Sequence, residues 1–256
     1  MKKHILASLI LAFSGLSHTA FAQQTLRLGV DPTFPPFESK AADGSLQGFD
    51  IDLGNAICAQ AKVTCKWVEI GFDATIPALN ARKFDAILSA MAMTEKRREQ
   101  VAFSDMLYNT PNALIALNSS TLSKDIASLR GKKIGVAQGT IHETYAKNKW
   151  EPEGVNIISY ANQMEIYPDL VSGRLDGSLT NIISAEQGFL NQEQGKNFVV
   201  KATIIDNKVF GEGTGVALRK GDDQNLQLIN QALAEMHKNG TYDRLAKKYF
   251  NYSVYP

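Results

Sequence analysis

Two stretches of this chain repeat each other. LNARKFDAILSA at residues 79–90 and LVSGRLDGSLTN at 170–181 share a helix end, a basic residue, an apolar residue, an aspartate, a small residue and an apolar strand. A second echo links LRLGVDPT (26–33) with KKIGVAQGT (132–140), each a short apolar strand followed by a polar loop. Such duplication predicts two α/β lobes of similar construction. Around the first copy, residues 25–30 alternate as a strand and 49–61 have helical spacing. Residues 64–70 read as a strand, and a helix starts at Phe72 and Asp73. Strand, helix, strand, helix, strand predicts a mainly parallel sheet flanked by helices. In each copy the strand after the aspartate carries small polar side chains to its C-terminal end, where open α/β sheets bind ligands.

Residues 84–105 extend the first copy into a corner. The apolar run from Phe84 to Met93 is broken by Ser89 and Ala90, and Thr94 precedes Glu95, Lys96, Arg97 and Arg98. Thr94 suits the cap of a new helix, and free backbone N–H groups at a helix start attract anions. Arg97 adds a planar fork that matches a carboxylate, whereas Arg98 is read as solvated. At the end of the first strand, Asp31 leads into PTFPPF, where three prolines hold Phe34 and Phe37 in a rigid loop. Phe37 is assigned to the core and Phe34 to a ligand-facing position.

Further along, residues 226–240 read as a helix with a glycine stop and 241–250 as a closing helix. The strand-like GVALRK at 215–220 suits a chain that returns to the first lobe, so two crossings near 108–112 and 211–215 form a hinge of paired strands.

Lys2 and Lys3, the apolar run Ile5 to Phe13, and Ala20-Phe21-Ala22 read as a secretory leader cleaved after Ala22. Removing it takes away two lysines and no acid, leaving 25 basic and 26 acidic side chains. That balance gives no footprint for nucleic acid or a membrane surface. Export favours a disulfide between Cys58 and Cys65, and no histidine lies near them to make a metal site. His142 and His237 are the histidines left after the leader, poor material for a metal centre or a catalytic triad. His142 is assigned to a helix start at the surface.

Several motifs together carry a resemblance over nearly the whole mature length. They are DPTFPPFES (31–39), GFDIDL (48–53), the cysteine pair, SAMAMTEKR (89–97), GVAQGT (135–140), the 170–181 stretch, FGEGTGVALRK (210–220) and NGTYDRLAKKYF (239–250). With them the chain resembles the periplasmic solute-binding proteins for polar amino acids, specifically the lysine/arginine/ornithine and histidine group. The resemblance implies the type II two-lobed fold, with 23–110 and 214–256 as lobe 1 and 111–213 as lobe 2. It implies a monomer in the periplasm that closes on a cationic amino acid and delivers it to an ABC permease in the inner membrane. No cofactor, metal or catalytic residue is implied.

Carried over by position, Arg97 would hold the ligand α-carboxylate with backbone donors near Ala90 and Thr140. Ser89 would hydrogen-bond the ligand, Phe34 and Phe72 would sandwich its aliphatic stem, and Asp31 would face a cationic end. Ala92, Ala137 and Asn181 complete the expected set. Three positions depart from the resemblance: Asn181 stands where the family commonly has an aspartate for the α-ammonium, and Ala90 and Ala92 stand where serines are frequent. Asparagine brings no charge but can donate. An alternative ligand is therefore an arginine-derived opine, whose nitrogen bears a second carboxylate. A more distant alternative is a dehydratase-like enzyme on the same scaffold, which would need a general acid in the cleft.

Overall fold

The computed structural model describes residues 24–255. The leader and its cleavage point lie outside the described residues. In chain order the strands are β1 (Thr25–Val30), β2 (Ser39–Lys40), β3 (Leu46–Gln47), β4 (Thr64–Glu69), β5 (Ala86–Ile87) and β6 (Val101–Phe103). They continue with β7 (Asn112–Leu117), β8 (Lys133–Ala137), β9 (Asn156–Tyr160), β10 (Gly177–Asn181), β11 (Phe198–Ile204) and β12 (Ala217–Arg219). Apart from the small β2–β3 hairpin they form two five-stranded sheets, in the orders β4-β1-β5-β12-β6 and β11-β7-β10-β8-β9.

Each sheet contains the expected parallel core. β1 lies between β4 and β5, and β8 lies between β9 and β10, all parallel. Each sheet is mainly parallel with one strand reversed: β12 runs antiparallel to β5 and β6, and β7 runs antiparallel to β10 and β11. The reason is connectivity: β12 arrives in the first sheet only after the second is complete. The crossing segments run side by side, with the Thr214 N–H donating to the Tyr108 carbonyl and the Leu107 N–H donating to the Thr214 carbonyl, both at 2.7 Å.

Helix periodicity sets which faces are buried. The Phe49–Gln60 helix turns Phe49, Leu53 and Ile57 inward, and the Asp223–Lys238 helix buries Ile229, Leu233 and Met236 in the same core. Phe37 joins this core as assigned, stacked on Tyr108 with ring centroids 5.1 Å apart. Burying such a ring contributes about 2–3 kcal/mol. A disulfide joins Cys58, near the end of the Phe49–Gln60 helix, to Cys65 in β4. The second sheet has its own apolar clusters, around Leu114, Ile134 and Leu179 on one face and Ile115, Tyr167 and Phe189 on the other. The strand ends that carry the two sequence repeats, after β5 and in β10, open onto a common cleft.

Candidate functional site

All ten sequence-assigned ligand residues line that cleft, whose volume is about 490 Å³, within the range of small-molecule sites. One end is acidic. The Asp31 carboxylate accepts from the Thr33 hydroxyl at 2.8 Å and from the Phe72 backbone N–H at 3.0 Å. Burial raises its pKa against these two bonds.

Beneath Asp31 lies a buried polar network that the sequence reading did not anticipate. The Ser89 hydroxyl donates to Glu38 Oε1 and accepts from the Asp31 N–H, each at 3.0 Å. Asp50 accepts from the Ala90 N–H at 2.7 Å and from the Tyr108 hydroxyl at 2.9 Å. Glu38 is 1% exposed and Asp50 0%. Burial, followed by the neighbouring Asp50 charge, holds the Glu38 carboxyl well above the ordinary range, and burial lifts Asp50 to about 6. Two of the expected ligand-contacting groups are engaged within the protein here. Ser89 is fully buried and its hydroxyl is already engaged as donor and acceptor. The Ala90 N–H donates to Asp50, with Ala90 held at φ 44°.

Phe72 connects the two ends of the cleft. Its backbone binds Asp31, and its ring lies 5.3 Å from the Arg97 guanidinium carbon, a cation–π distance. Phe34 lines the cleft with its ring stacked on Phe37 at 5.8 Å. Thr94 caps the Glu95–Arg98 helix as expected, its hydroxyl accepting from the Arg97 N–H at 3.2 Å. Arg98 is partly sequestered, resting over the Phe103 ring.

Arg97 itself is 9% exposed. It donates to the Ala92 carbonyl at 2.9 Å and, across the cleft, to the Gly139 carbonyl at 3.1 Å. Among the described residues no acid pairs with it, and burial alone lowers its pKa to about 10. A buried guanidinium without a counter-charge favours an anion. The cleft is tight at this contact: a Cβ on Gly139, which has φ +72°, would lie 2.7 Å from the Asp73 Cα. Away from the cleft lining, the Gln187 side-chain amide donates to the Tyr249 carbonyl at 3.1 Å.

The opposite wall comes from the second sheet. Ala137 ends β8, and the Thr140 hydroxyl donates to its carbonyl at 2.7 Å while accepting from the Glu143 N–H at 3.1 Å. His142, assigned to the surface, is instead buried and lines the cleft. Its Nε2 is 2.8 Å from Asn112 Oδ1, and burial, then the charge of Arg97, pulls its pKa down to about 3. Asn181 caps the Ile182–Ala185 helix: its carbonyl oxygen accepts from the Ile183 and Ser184 N–H groups at 2.9 and 3.2 Å. Its amide donates to the Thr110 hydroxyl at 2.6 Å. An asparagine directly before a short apolar helix is a recognisable cap, the one local signal for this role.

A buried arginine facing a buried acid across an aromatic wall matches a zwitterion with a cationic tail. Residues 26–252 fit the profile of the bacterial extracellular solute-binding proteins, family 3. The chain belongs to that family. It is 47% identical to the lysine/arginine/ornithine-binding periplasmic protein of Escherichia coli K12 and 46% identical to the histidine-binding periplasmic protein of Salmonella typhimurium. Both alignments cover all of this chain and 99% of the relative. An ancestral arginine-binding protein solved with arginine bound superposes with a TM-score of 0.82 at 36% identity, covering 90% of this chain and 99% of that one. These relatives are binding proteins, and this solute-binding chain is not an enzyme.

The Glu38 environment predicts a pH signature. Its folded-state pKa lies above the ordinary 4.5, so the folded chain binds more protons than the unfolded one and stability falls as pH rises through that window. E38Q has no such proton to lose. Its melting temperature relative to wild type is expected to climb as pH rises above about 4.5 in thermal denaturation. A difference that stays flat would refute the neutral buried acid.

Proposed function

We propose that this solute-binding protein captures a cationic amino acid of the arginine, ornithine, lysine and histidine class in the periplasm and passes it to an ABC permease. The observation that carries this reading is the buried Arg97 without an acid partner, separated by Phe72 from the buried Asp31. The ligand α-carboxylate meets the Arg97 fork, the methylene stem lies between Phe34 and Phe72, and the side-chain cation meets Asp31. Residues 23–110 with 214–256 form one jaw and 111–213 the other, closing about the paired crossings at Tyr108 and Thr214. The Arg97–Gly139 bond then belongs to the closed state. The protein acts as a monomer after cleavage at Ala22. Relatives described as periplasmic amino-acid-binding proteins support this placement.

A second reading has its own observation. The Asn181 carbonyl is committed to its helix cap and one amide N–H to Thr110, so what Asn181 keeps for a ligand is its second N–H donor rather than an acceptor. An aspartate there would keep a second oxygen for the α-ammonium. A ligand nitrogen bearing an extra carboxylate, as in an arginine-derived opine, fits a donor at 181 and the space left by Ala92 and Ala90.

Titration calorimetry tests both readings. R97A is expected to weaken L-arginine binding about 30-fold or more, since a buried charge pair is broken. Unchanged affinity would sink the carboxylate assignment. N181D is expected to shift preference toward L-arginine and away from an arginine-derived opine, and a shift toward the opine would reverse the meaning given to residue 181.

A further inference from the structure

Residue 142 lies in the most unusual polar environment of the cleft. Asn112 and Asn181 sit directly opposite each other on the antiparallel strands β7 and β10, so their side chains share one sheet face. Asn112 Oδ1 reaches His142 Nε2 at 2.8 Å. An amide oxygen can only accept, so His142 carries its proton on Nε2 and its Nδ1 is an acceptor. Nδ1 has no partner among the described residues. The ring is 6% exposed, lines the cleft with Ala92 and Arg97, and is kept from protonating by burial and the Arg97 charge. Meanwhile the acceptor oxygen of Asn181 is taken by two backbone N–H groups.

We infer that His142, fixed in its Nε2–H form by Asn112, is the specificity residue that accepts a hydrogen bond from the ligand α-amino group. This assignment rests on the amino-acid reading of the cleft, with the carboxylate on Arg97. It moves the recognition of the amino group from β10 to the helix after β8, and from a charged acceptor to a neutral one.

The test pairs L-arginine with its des-amino analogue, which keeps the carboxylate and the guanidinium. Calorimetric titrations of the wild type, H142F and H142Q give the affinity ratio of the two compounds. The wild type is expected to favour L-arginine, and H142F to shrink that ratio about tenfold or more. H142Q, which offers a carbonyl acceptor, is expected to restore most of it. In the wild type, the ¹⁵N resonance of His142 Nδ1 is expected to move on adding L-arginine and to stay near its free position with the analogue. An unchanged ratio in H142F, or an Nδ1 signal indifferent to L-arginine, overturns the assignment even if both compounds bind. If neither compound binds the wild type, the amino-acid reading itself falls, and the role of His142 falls with it.

Discussion

The site depends on a buried guanidinium that no acid among the described residues neutralises. Desolvating a cation is costly, and the chain offsets part of that cost with weak partners only. Arg97 has two backbone carbonyls and the face of Phe72. None of these cancels the charge, as the depressed Arg97 pKa reflects. In the proposed function a ligand carboxylate would complete the pair, turning a deficit in the protein into affinity for an anion. The fold makes this arrangement attainable. Thr94 starts the short helix that aims Arg97, and the turn before it follows from the strand end at β5.

The acidic end is built on the opposite principle. Asp31 does not stand alone but is tied through Ser89 to Glu38, with Asp50 and Tyr108 alongside. Three buried carboxyl groups so close together cannot all ionise cheaply. The strongly raised pKa of Glu38 places a proton deep in the network beside Asp50, while Asp31, nearest the cleft, is steadied by Thr33 and Phe72. Phe72 serves both ends, with its amide on the acid and its ring under the arginine. Charge separation across one aromatic residue is what gives the cleft its polarity.

What the sequence revealed follows the range of the interactions. The two repeats announce two sheets, and Thr94, directly before Glu95, announces a helix start, each from residues next to one another in the chain. The hidden features are contacts between distant residues. Asp50 meets Ala90 across 40 positions and Tyr108 across 58, and His142 meets Asn112 across 30. Glu38 and Asp50, inside PFES and GFDIDL, carry no local sign of the burial the fold imposes on them. His142 reads as a surface residue until β7 brings Asn112 against it. The reversed strand in each sheet was also hidden, because direction depends on where β12 and β7 enter and not on their own residues. Asn181 is the exception, since its capping role is local.

The central claim is that Arg97 confers affinity by catching a carboxylate. The most direct measurement compares L-arginine with its decarboxylated analogue by calorimetry on the wild type. Both present the same guanidinium and methylene stem to Asp31, Phe34 and Phe72. The account predicts that loss of the carboxylate weakens binding about a hundredfold or more. Comparable affinity for the two compounds would contradict it and leave the buried charge of Arg97 without a function.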